Sequence, residues 1–290
     1  MLTGLLRLLG QLPLSVLHAV GSALGWLAYL CSPSYAARLR DNLLQSAAWA
    51  DERDYQRILG ANVGETGKAF AEVAAIWFRP QEEVASWVRA VRGWDSVEAA
   101  HKAGRGIIVL APHLGCFEII AQYLALRFPF TVLYRPPNYA LLEPAMLKGR
   151  GRPQLRAAST DLGGVRVLLK ALKRGEAIGI LPDQVPGAGE GELADFFGRP
   201  AYTMTLASKL AENTGATMLP TYARRLPKGG GYELSFEPMP ERLPGESATR
   251  QLNRALEGVI SRLPEQYLWS YNRYKTPDSV SAHPAVTRDA

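Results

Sequence analysis

"GIIVLAPHLGCFEIIAQYL", residues 106–124, decides the fold. A β-branched apolar run of strand length ends at Pro112, a short loop follows, and a helical stretch is predicted from about Gly115. The same texture recurs downstream. "FTVLYRP" (130–136), "AIGILPD" (177–183) and "TMLPTYARR" (217–225) are short apolar runs suited to buried strands. Between them lie "TDLGGVRVLLKALKRG" and "MTLASKLAENTG", which read as helices. Such alternation predicts an α/β domain with a mainly parallel central sheet flanked by helices. "GGGYELSFEPMP" (229–240) adds a later antiparallel strand, and "SATRQLNRALEGVISRLPEQY" (247–267) a terminal helix.

Upstream the chain is different. From Leu8 to Ala37 there is no Asp, Glu, Lys or Arg, a run long enough to cross a bilayer but diluted by Gln11, Pro13, His18 and several Gly and Ser. Residues 1–37 are therefore predicted to be an amino-terminal membrane anchor, spanning the bilayer or lying in its interface, with a buried first helix as the alternative. Residues 38–275 would form the catalytic domain, helical to about residue 90, with Asp51 a candidate N-cap. The tail 276–290 has little apolar content and is expected to be disordered. Within the helical part, "GETGK" is not a phosphate loop: Asn62 stands where the first glycine would be and Ala69 replaces the Ser/Thr.

At 290 residues and 47% hydrophobic the chain can bury a real core. Its net charge of +6 is concentrated in "LKGRGRPQLR" (147–156), "ARR" (223–225) and "NRYK" (272–275), which suits an acidic or anionic partner. The aromatic residues do not form a base-stacking pattern interleaved with Lys and Arg, so nucleic acid is not expected. Four histidines and two cysteines, all dispersed, give no zinc pattern and no disulfide framework. No GxSxG is present.

His113 and Glu118 are two titratable groups in an otherwise apolar stretch. A single histidine there is commonly a hydrogen-bonded structural residue. Just past the carboxyl end of a strand, however, it stands where open α/β sheets bind ligands. A carboxylate between Phe117 and Ile119 needs a partner if buried. With His113 on the loop and Glu118 in the first helical turns, the carboxylate can turn back and fix the imidazole tautomer, as a general base requires. Cys116 offers a rival, a thiol nucleophile with His113 as its base.

H-x4-E as "HLGCFE", with "RLRDNL", "YRPPN", Arg150, "GILPDQ", "DFFGRPAYTMTLASKLAENTGA" and "QYLWSYNRYK" in this order, resembles the bacterial lipid A biosynthesis acyltransferases over nearly the whole chain. The resemblance implies a glycerol-3-phosphate-acyltransferase-like fold and transfer of a fatty acyl chain from acyl carrier protein, as its thioester, to a hydroxyl of a membrane glycolipid. A late lipid A precursor would be the acceptor, met at the cytoplasmic face of the inner membrane. It implies that His113 deprotonates the acceptor and Glu118 orients it. Arg135, Asn138 and Arg150 would lie near the acceptor or its phosphates, and Asp183 and Gln184 would form the family's "DQ" turn at the substrate site. No metal or redox cofactor is implied.

The residues fit that chemistry. A thioester is already activated and needs a base, an oxyanion site and positioning. Arginine suits forked phosphate contacts better than lysine. Asp183 is equally readable as a turn residue after Pro182. Tyr271 and Asn272 stand where many relatives carry a second histidine or arginine, and "PGAGEGELA" (186–194) reads as a loop over the site. The subgroup thus stays open: O- or N-acyl transfer to another amphiphile is the alternative. A thioesterase using Cys116 and an inactive membrane-binding homologue come after it.

Overall fold

The computed structural model describes residues 2–134, Met146, Gly149 and 151–277. Arg135, Asn138, Arg150 and the tail beyond Pro277 lie outside the described residues.

The amino-terminal part is helical. α1 (Leu2–Leu9) is followed by α2 (Leu14–Cys31), α3 (Pro33–Ser46), α4 (Glu52–Phe78) and α5 (Gln81–Ser86). Asp51 caps α4 as expected, accepting from the Asp54 N–H at 2.9 Å. Then come β1 (Val88–Arg92), α6 (Trp94–Ala103), β2 (Ile107–Leu110), α7 (Phe117–Leu124), β3 (Phe130–Tyr134) and β4 (Leu155–Ser159). The chain continues through α8 (Leu162–Lys173), β5 (Ala177–Ile180), β6 (Gly191–Phe196), β7 (Arg199–Met204), α9 (Leu206–Thr214), β8 (Thr217–Arg225), β9 (Tyr232–Phe236) and α10 (Ala248–Ser261).

Seven strands form one sheet in the order β1-β9-β8-β2-β5-β3-β4, parallel throughout except at the β8–β9 pair. β2 and β5 lie at its centre with all residues buried, which is why their sequences are continuous apolar runs. Alternate residues of β2 feed different cores. Ile108 and Leu110 pack with Leu168, Leu172, Leu256 and Ile260 from α8 and α10. Ile107 and Val109 pack with Val97, Ile119, Ile120 and Leu124 from α6 and α7. The predicted mainly parallel α/β architecture is therefore present.

Besides β7, three strands depart from the sequence expectation. β1 lies at the end of the stretch read as helical, β4 lies within the basic region, and β6 takes up part of the glycine-rich loop, paired with β7 in a separate hairpin. All three occupy edges and are only partly buried. They therefore carry no apolar run, and their strand state is set by pairing with a neighbour.

α2 lies along α4 through small residues. A Cβ on Gly67 would sit 2.0 Å from the Gly21 carbonyl oxygen, and one on Gly25 would sit 2.3 Å from the Val63 carbonyl oxygen. Only glycine allows backbones so close. Away from this contact, α2 turns Leu24, Leu27 and Leu30 outward, and Leu30 is 73% exposed. Phe70 of α4 is exposed as well.

The two helices are also joined by a buried hydrogen bond. Glu72 of α4 is buried and accepts from Arg225 Nε at 2.8 Å, Arg225 Nη2 at 2.5 Å, Tyr232 Oη at 2.8 Å and His18 Nε2 of α2 at 3.0 Å. Arg225 Nη1 reaches Glu65 at 2.5 Å. Burial raises the Glu72 carboxyl, but the Arg225 charge and hydrogen bonds, aided by His18, outweigh it and hold the pKa at about 2. A depressed carboxylate stabilises the fold above its unfolded pKa, and that contribution disappears as pH falls through the folded one.

Urea denaturation is expected to show a loss of stability of order 3 kcal/mol as pH falls from about 4.5 to about 2. Glu72→Gln should be less stable at neutral pH and flatter across that window. Gly67→Val should lower stability by about 1–3 kcal/mol or more through overlap with α2. Gly60→Ala, whose Cβ meets nothing within 4 Å, should be neutral or slightly stabilising in the same urea denaturation measurement.

Candidate active site

The last paired residues of β2 and β5 are Leu110 and Ile180. His113 and Asp183 are each the third residue beyond them, so the parallel register delivers both groups to one place at the carboxyl edge of the sheet. Asp183 is buried and takes hold of His113 twice. One carboxylate oxygen accepts the His113 backbone N–H at 2.9 Å, and the other lies 2.9 Å from ring Nδ1. Burial raises the Asp183 carboxyl, yet the His113 charge and both hydrogen bonds bring it below the usual carboxylate range. An ionised carboxylate only accepts, so Nδ1 carries the proton and donates. In the neutral ring Nε2 then presents a lone pair, and Gln184 Nε2 lies 3.2 Å from it. Such an arrangement can serve as a base: an oriented imidazole whose outer nitrogen faces the Gln184 amide.

This corrects one expectation. The carboxylate that orients His113 is Asp183 and not Glu118. Glu118 is the second residue of α7, is buried, and accepts from Trp77 Nε1 at the end of α4 at 3.1 Å. The reason is geometric. Adjacent parallel strands fix the positions of the residues just past their ends, whereas Glu118 is carried away by the start of a helix. Phe117 covers the ring from the other side, with centroids 4.7 Å apart.

The His113 loop is held by distant segments. Gly115 has φ +61°, and a Cβ there would sit 2.0 Å from the Ala223 carbonyl oxygen, so the residue must be glycine. Gly115 N–H donates to Gln266 O at 3.0 Å, Cys116 N–H to Ala223 O at 2.9 Å and Leu268 N–H to His113 O at 3.1 Å.

The carboxyl-terminal "QYLWSYNRYK" thus wraps the site, a role that sequence reasoning missed. Tyr271 Oη accepts the Val185 N–H at 3.0 Å and so pins the turn after Gln184. Tyr267 is buried beside Asp183, and burial together with that charge pushes its phenol well up. Arg273, 3% exposed, donates to the Tyr202 carbonyl at 2.8 Å and to Thr203 Oγ1, with burial lowering its pKa. An arginine set between Tyr271 and Tyr274 in an aromatic-rich segment was the available signal.

Cys116 faces away from this chemistry. Its thiol is buried against the Glu72–Arg225 group, and burial pushes its pKa well up. A reactive thiolate needs the opposite environment. Among the described residues, no three His, Cys, Asp or Glu side chains converge as metal ligands. A cavity of about 500 Å³ lies at the other end of the strands, lined by Ala99, Ala103, Arg105, Met218 and Met239 among others, and holds none of these groups.

Comparison with known proteins gives a consistent picture. The sequence pattern of a family described as bacterial lipid A biosynthesis acyltransferase matches residues 1–276. The chain is 32% identical to the lipid A biosynthesis palmitoleoyltransferase of Escherichia coli K12 over 278 residues, covering 94% of this chain and 89% of the relative. It is 29% identical to the lipid A biosynthesis lauroyltransferase of the same organism over 283 residues, covering 96% and 91%. A phosphatidylinositol mannoside acyltransferase of Mycobacterium tuberculosis is 24% identical over 235 residues, covering 73% and 74%.

Alkylation of the folded protein at neutral pH is expected to label exposed Cys31 and spare Cys116, which should react only after denaturation. Peptide mapping of the labelled thiols checks this. Rapid labelling of Cys116 in the native protein would restore the nucleophile reading.

Proposed function

The chain belongs to the bacterial lipid A biosynthesis acyltransferase family, and on that premise we propose that it moves a fatty acyl chain from an acyl carrier protein thioester to a hydroxyl of a late lipid A precursor. His113 is the general base. The observation that carries this reading is the Nδ1 contact with Asp183, which leaves Nε2 as the proton acceptor at the carboxyl edge of β2 and β5. In this reading Asp183 fixes the tautomer and stabilises the imidazolium that forms, while Glu118 braces α7 against Trp77. Arg135, Asn138 and Arg150 are assigned to the acceptor and its phosphates by the family pattern, and Gln184 to the substrate.

Other features support donor and location. The polar face of α8 carries exposed Arg166, Lys170 and Lys173, and the helix has no acidic residue, which suits an acidic carrier protein. The outward apolar side of α2 suits a lipid surface, with exposed Arg38 and Arg40 near its end for anionic head groups. Its inner side is occupied by α4 through Gly21 and Gly25, which supports a placement of α2 in the interface rather than across the bilayer. We place the enzyme at the cytoplasmic face of the inner membrane, where the carrier protein is. No metal or redox cofactor enters this reaction. A second acceptor class is kept by the mannoside-lipid relative: another amphiphile with a free hydroxyl or amine.

His113→Ala should lower acyl transfer from carrier thioester to lipid acceptor by about 10²–10⁴-fold with the fold intact. Asp183→Asn should cost up to about 10⁴-fold through the wrong tautomer. Both are checked by mass spectrometry of the acylated lipid and by circular dichroism. Undiminished turnover in His113→Ala would remove the general base from the mechanism.

A further inference from the structure

The base nitrogen of His113 is already occupied. Gln184 Nε2 stands 3.2 Å from His113 Nε2, and Gln184 itself is half-buried. An imidazole nitrogen has one in-plane lone pair, so the amide and an incoming hydroxyl compete for it. The backbone on either side of Gln184 cannot give way. Asp183 before it is bound twice to His113, and the Val185 N–H after it donates to Tyr271 Oη. Only the side chain of Gln184 can turn.

From this we propose that Gln184 is a catalytic residue with two successive partners: it caps the resting base, then donates its amide N–H to the oxygen of the tetrahedral intermediate. The idea rests on the acyl-transfer reading above. An acceptor hydroxyl bound to Nε2 sits about 3 Å from it, and the thioester carbon must approach that hydroxyl to about 3–3.5 Å. The displaced amide, tethered at the edge of the same ring, then lies beside the carbonyl oxygen. As the acceptor oxygen bonds to the thioester carbon, its proton passes to His113 Nε2 and the carbonyl π pair moves onto oxygen. Collapse restores the carbonyl, breaks the carbon–sulfur bond and returns the proton from Nε2 to the departing sulfur. A neutral amide donor fits this task because it stabilises the developing anion without competing for the proton. It also keeps the base covered until an acceptor arrives, which disfavours proton transfer from water.

The test uses the full chain in detergent–phospholipid micelles, with lauroyl or palmitoleoyl carrier-protein thioesters and a lipid A precursor. Gln184→Ala and the near-isosteric Gln184→Glu should each lower kcat by about 10²–10³-fold, with the acceptor KM changed by no more than a few-fold and thermal unfolding unshifted. Gln184→Glu should be at least as impaired as Gln184→Ala, since a carboxylate repels the oxyanion. Full kcat in both variants, or a raised acceptor KM at unchanged kcat, overturns the assignment and makes Gln184 inert or a recognition residue. His113→Ala run in parallel separates the two levels. If it is inactive while the Gln184 variants are not, the acyl-transfer reading stands and this inference fails; if it is active, the reading beneath has failed.

Discussion

The grip of one carboxylate on both the backbone and the ring of His113 is the contact on which the site depends. A side-chain bond alone would orient the imidazole but leave its loop free to drift. A backbone bond alone would fix the loop and leave the ring to rotate. Asp183 does both because it leaves β5 at the level where His113 leaves β2, so the register of the two central strands is also the register of the site. Sliding one strand by a single residue would exchange the side chains that it sends into the two cores, and the close packing of both cores resists it. Core packing thereby sets the separation of the two groups proposed to do the chemistry.

Around this pair the chain uses segments far apart in sequence. β8 supplies the carbonyl that receives the Cys116 N–H, and the stretch after α10 receives the Gly115 N–H and donates to the His113 carbonyl. The same β8 carries Arg225 into the buried ionic group with Glu72, Glu65 and His18. Two charged assemblies thus stand on neighbouring parts of one sheet edge with different uses. The Glu72–Arg225 group is closed, each charge answered within the interior, and it fastens helices. The His113–Asp183 pair keeps its outer nitrogen facing a half-buried amide, and in the proposed mechanism it is the group that reacts.

The central strands were legible because strands buried on both faces must be apolar, and β2, β3, β5 and β8 all announced themselves. His113 was legible for a related reason: a titratable ring just past such a strand stands out. Its partner was not. Glu118 is near in sequence and seemed the natural choice, whereas Asp183, known only as half of a "PDQ" turn, is near in space through strand pairing that no local pattern encodes. β1, β4 and β6 escaped for want of an apolar run, since an edge strand needs only one covered face. The closing role of Tyr271 and Arg273 was hidden in a segment whose aromatic content showed that it was packed, but not against what.

α2 and α3 are separated by Ser32 alone, and Pro33 starts the second helix at once. Together with the glycine contact to α4, this leaves the apolar helix no slack relative to the sheet. In the proposed placement such a molecule carries a built-in depth gauge. The reactive imidazole would hover at a constant height over the lipid head groups, and the choice of which hydroxyl is reached becomes a matter of how far it stands above the bilayer.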